Sequence, residues 1–114
     1  MALRNDAPFP LEAVRDLLGI VRALYTVAKE SGAGRAELAR IARVGKDLSE
    51  AIEIAVATRP GTVGHTAALG RAEEATRRVG DLVDALTPAE PLVQAARARV
   101  TGTAVALRKK RPER

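Results

Sequence analysis

At 114 residues and 12.0 kDa the chain is long enough for one domain with a single modest core. Its 46% hydrophobic content is mostly Ala, Leu and Val, with Phe9 and Tyr25 as the only aromatics, which is the composition of helices rather than strands. The net charge is +5 and cysteine is absent, which excludes disulfides, thiolate zinc sites and thiol nucleophiles.

Three interruptions divide the chain: "ESGAG" at 30–34, "TRPGTVG" at 58–64 and "TPAEP" at 87–91. The segment before the first opens at "PFPLE", where Pro10 suits an opening helical turn because its missing N–H has no partner there anyway. Leu11, Val14, Leu18, Val21, Tyr25 and Ala28 follow at alternating spacings of three and four, and Leu17, Ile20, Leu24 and Val27 widen the stripe. A second helix is expected through Leu38, Ile41, Leu48, Ile52 and Ala55, with Gly45 at one seam position. A third runs through Ala68, Ala72, Ala75, Val79, Leu82 and Leu86.

The fourth is expected to bury Val93, Ala96, Val100, Ala104 and Leu107. Its opening "TPAE" offers Thr87 as cap, Pro88 at the first helical position and Glu90 to close a capping box. Four such helices with short connections predict an all-α, antiparallel up-down-up-down four-helix bundle over residues 1–108, followed by a basic C-terminal tail at 109–114. Ile20, Val27, Ile54 and Val56 lie off the main seams, so a homo-oligomer is expected. "RVGKDLSEAI" (43–52) and "RVGDLVDAL" (78–86) echo one another, which in so Ala-, Arg- and Leu-rich a chain is taken as chance.

The residues offer little for catalysis, and no enzyme, metal or cofactor is expected. No phosphate-cradling G-x-x-x-x-G-K-[ST] loop occurs. The only histidine is His65, read as a solvent-facing residue at a helix start. Two sharper readings of it are weaker. "HTAALG" (65–70) faintly resembles the phosphorylated stretch of histidine phosphotransfer domains, but Ala68 stands where those have a lysine. Arg59 and His65 resemble the R-x(4–6)-H ribonuclease motif of helical HEPN proteins, with Pro60 and Gly61 between them.

Charge is more informative by position. Residues 1–57 balance, whereas 97–114 hold Arg97, Arg99, Arg108, Lys109, Lys110, Arg111 and Arg114 against Glu113 alone. On a helix Arg97 and Arg108 lie about three turns apart and share one flank of the apolar stripe, with Arg99 and Lys110 on the other. Helix-dipole compensation accounts for two or three such cations. The remainder marks Arg97, Arg99, Arg108, Lys109, Lys110 and Arg111 as a nucleic-acid-binding surface. With no aromatics beside them in sequence, backbone contacts to RNA or structured duplex are expected rather than base stacking. The rival reading is a protein–protein scaffold or cargo module docking an acidic partner. No apolar run reaches about 18 residues and no basic-then-apolar leader opens the chain, so a cytoplasmic protein without a membrane segment is expected.

Three phrases carry a family resemblance: "LYTVA" (24–28), "DALTPAEPL" (84–92) and "RVTGTAVALRKK" (99–110). Over roughly 11–110 the chain resembles the small four-helix-bundle proteins encoded within 23S ribosomal RNA intervening sequences. It resembles equally their relatives, the accessory variability-determinant proteins of diversity-generating retroelements. It departs from them in lacking an aromatic after the glycine centre of "GTAVAL" and an aromatic-rich core. The resemblance implies a homopentameric barrel that binds RNA or a reverse transcriptase through a positive surface and catalyses nothing.

Overall fold

The computed structural model describes residues 9–85 and 91–110, and the side chains of all of these except 91, 92, 109 and 110. Four helices make up nearly all of it: α1 (Leu11–Glu30), α2 (Arg35–Ala57), α3 (Val63–Asp84) and α4 (Pro91–Lys110). No strand occurs among the described residues. α1 packs on α2 and α4, and α3 packs on the same two, so the four close around one core with only light contact between α1 and α3.

The two described turns each have a local cause. α1 ends in a Schellman arrangement, with Gly32 at φ +83° donating its N–H to the Lys29 carbonyl and Ala33 donating to Ala28. Between α2 and α3, Gly61 takes φ +89° and Thr62 caps α3, its hydroxyl oxygen accepting from the His65 N–H at 3.2 Å. The expected cap at Thr87, Pro88 and Glu90 lies outside the described residues, as does Leu86. α4 begins at Pro91 and continues through Lys110, two residues beyond the boundary expected for the bundle.

The core follows the stripes with a few shifts. In α1, Val14, Leu17, Leu18, Val21 and Leu24 are buried. In α2, Val44 and Ala51 join Ile41, Leu48 and Ala55, while Leu38 and Ile52 are only half-buried. α3 buries mostly small side chains, Ala68, Ala72 and Ala75, with Leu69, Val79 and Val83 supplying bulk. α4 contributes Val93, Ala96, Thr103 and Leu107, and Thr103 donates to the Ala13 carbonyl at 3.3 Å, tying α4 to α1.

Of the four off-seam residues, Ile20 and Ile54 pack partly buried against the core, which widens it rather than leaving a second face. Val27 and Val56 are exposed, as are Val63 and Val105. The two echoing segments come together: Arg78, in the second, reaches Asp47, in the first, at 3.4 Å. Among the described residues no helix is long and apolar enough to cross a membrane.

Candidate nucleic-acid interface

α4 places its cations on two flanks because its buried residues, Val93, Ala96, Thr103 and Leu107, set its rotation. Arg97 faces α3 and meets Asp84 at 3.3 Å, whereas Arg99 faces α1 and meets Asp16 at 3.9 Å. Arg108 shares the α3 flank with Arg97, bordering a groove with Gly70, Glu73, Glu74, Thr76, Arg77, Val100 and Ala104. Lys109 and Lys110 continue the helix, and Arg111 lies outside the described residues.

Two of the six sequence-predicted cations therefore already hold carboxylates, a feature the linear charge count does not register. Both pairs are open to water: the side chains are 45% and 69% exposed for Arg97–Asp84, and 56% and 60% for Arg99–Asp16. An exposed pair of this kind contributes about 0–1 kcal/mol, so a phosphate can take the arginine over at little cost. Arg108 has no ion pair among the described residues.

Sequence reading missed a second cationic place. A groove of about 450 Å³ runs between α1 and α2, with Arg22, Tyr25 and Thr26 on one bank and Ala42, Lys46 and Ser49 on the other. Its floor is Leu18, Val21, Ile41 and Gly45. Arg22 and Lys46 make no ion pair among the described residues, so two free cations and three hydroxyls edge an apolar trough. The spacing of Arg22, Tyr25 and Thr26, at i, i+3 and i+4, marks one helical face in sequence. That Lys46 and Ser49 stand across from it depends on how α2 rotates against α1, which local spacing does not encode.

His65 corrects the reading of it as solvent-facing: it is buried, at 4% exposed. The reason is that Phe9, upstream of α1, packs its ring edge-on against the imidazole, with centroids 6.2 Å apart. Thr58, at the end of α2, meets the ring at Nδ1 from 3.1 Å. A phosphoacceptor histidine must be reached in line by its donor, and this ring is enclosed. Arg59 is exposed, so Arg59 and His65 do not share a surface as a ribonuclease pair would. No group of three or more His, Asp or Glu side chains able to hold a metal occurs among the described residues.

No family model matches the chain, and no curated protein or solved structure matches it either.

Proposed function

We propose that this chain is a non-enzymatic, nucleic-acid-binding accessory protein, an antiparallel up-down-up-down bundle that assembles into a homo-oligomer and contacts RNA or structured duplex through its cationic end. The observation that carries the reading is the concentration of positive charge in residues 97–114, where seven basic side chains stand against Glu113 alone. Release of the counterions condensed on a polyanion gives such a surface affinity without base recognition. The weakness of the Arg97 and Arg99 ion pairs, and the unpaired state of Arg108 among the described residues, favour the same conclusion.

The alternating direction rests on contact order. Arg71 meets Glu50 while Arg78 meets Asp47, Arg97 meets Asp84 while Val100 lies beside Gly80, and Arg99 meets Asp16 while Thr103 meets Ala13. Later residues of one helix thus touch earlier residues of its neighbour. The oligomer is supported by apolar side chains left at the surface, Val56 at 64% and Val63 at 88% exposed. The resemblance to the proteins of 23S ribosomal RNA intervening sequences and of diversity-generating retroelements implies the same partners, RNA or a reverse transcriptase, and a pentamer.

The test is titration of the protein into fluorescent duplex RNA, duplex DNA and single-stranded RNA across a salt series. Binding that strengthens steeply as salt falls, with both duplexes bound at least as well as the single strand, is expected. No binding at low salt would overturn the reading in favour of a protein–protein module, which the exposed Val56 and Val63 also suit. Native mass by light scattering tests the assembly, for which a monomer would be the contrary result.

A further inference from the structure

Three of the four seams between neighbouring helices carry an ion pair across them. Arg71 and Arg78 of α3 meet Glu50 and Asp47 of α2, Arg97 of α4 meets Asp84 of α3, and Arg99 of α4 meets Asp16 of α1. The seam between α1 and α2 has none among the described residues. Its groove instead has Arg22 on one bank and Lys46 on the other, and no carboxylate among the residues that line it. Two like charges thus border one trough with nothing to offset their repulsion. Tyr25 and Ser49, on the same banks, have hydroxyls without a hydrogen bond among the described residues.

The floor carries a glycine that the fold does not require. Gly45 is not among the glycines at positive φ. A Cβ there would stand 3.5 Å from Val21 Cγ1 and 3.8 Å from Leu18 Cδ1, which is ordinary contact. Alanine would therefore fit, and it would favour the middle of a helix over glycine. What the missing side chain does is leave the trough open between the two cations. At about 450 Å³ the groove has the size of a small-molecule site, for which about 300–1,000 Å³ is usual.

We propose that this groove binds a small organic oxyanion, a carboxylate or phosphate head on a flat apolar body. The head lies between Arg22 and Lys46, with the hydroxyls of Tyr25 and Ser49 as further donors. Leu18, Val21 and Ile41 are already buried by the helices, so the body covers the half-buried Tyr25 and Gly45 and the exposed Ala42. The site shares no residue with the cationic end of α4, and neither reading depends on the other.

Tyr25 is the only tyrosine, which gives the test an unambiguous reporter. In NMR of the full chain at low salt, benzoate and phenyl phosphate should saturably shift the Tyr25 ring signals and the amides of Gly45 and Ser49. Benzamide, which keeps the body without the charge, and acetate, which keeps the charge without the body, should bind far more weakly. Arg22 and Lys46 are both exposed, so changing them together to Gln should spare the fold. That variant should bind benzoate about tenfold more weakly, the worth of one hydrogen bond to a charged group. Gly45→Ala should raise the urea midpoint and yet weaken benzoate binding, whereas changing Arg108, Lys109 and Lys110 to Gln should leave benzoate binding unchanged. Absence of a saturable shift, benzamide or acetate binding as well as benzoate, or an affinity indifferent to Arg22 and Lys46 would each overturn the proposal. So would full binding by Gly45→Ala, or loss of binding in the α4 variant.

Discussion

A threonine hydroxyl has a single proton, and at Thr58 two polar atoms stand within hydrogen-bond distance of its oxygen, the Ile54 carbonyl and a ring nitrogen of a histidine seven residues on. Because the Ile54 carbonyl takes that proton at 2.7 Å, the oxygen is free to accept from His65 Nδ1. Thr58→Val keeps the shape but leaves His65 Nδ1 without its partner, and should lower stability by about 1–3 kcal/mol in urea unfolding. Thr58→Ser should recover most of that loss. An unchanged midpoint in the valine variant would mean that the hydrogen bond contributes nothing. His65 was legible in sequence as a helix-start residue but not as a buried one, because what encloses it is Phe9, from a segment far upstream. The apolar stripes were more legible: Val14, Leu18, Val21, Ile41, Leu48 and Val79 are buried where their spacing put them. Leu48 is fully buried, so Leu48→Ala should cost about 2–5 kcal/mol.

At the scale of the element, all four helices were readable because apolar periodicity and turn chemistry agreed. "ESGAG" and "TRPGTVG" contain Gly32 and Gly61, the two glycines whose positive φ the turns require. The glycines inside helices are a different matter. Gly102 has nothing within 4 Å of where a Cβ would sit, so it has no packing duty within the chain. Gly102→Ala should therefore stabilise the protein by about 0.5–1 kcal/mol through helix propensity. Gly32→Ala, at φ +83°, should destabilise it. A loss of stability in Gly102→Ala that is accompanied by a fall in native mass would place that glycine in a contact between copies. What periodicity could not give was the pairing of α4 with its neighbours. Arg97 and Arg99 read in sequence as free cations, yet they meet Asp84 and Asp16, because helix rotation is set by burial and not by charge.

For the whole molecule the charge asymmetry was readable directly, since the excess lies in one contiguous stretch. The groove holding Arg22, Tyr25 and Lys46 was not, because it joins faces of α1 and α2 that each look ordinary in isolation. Arg22 and Lys46 on its banks form a second pair of cations, remote in sequence from α4. Neutralising Arg22 and Lys46 with glutamine should weaken duplex binding less than neutralising the end of α4, and binding of the two variants to the same duplex compares them. The central claim is that the end of α4 binds a polyanion through its charge, and the salt slope of binding measures this most directly. Each phosphate contact on a duplex adds about 0.9 to the fall of log K with log salt. Changing Arg108, Lys109, Lys110 and Arg111 together to Gln should flatten that slope by about 2–4 and weaken binding to RNA and DNA duplexes alike. An unchanged slope in the variant, or no binding by the unmodified protein at low salt, would contradict the account.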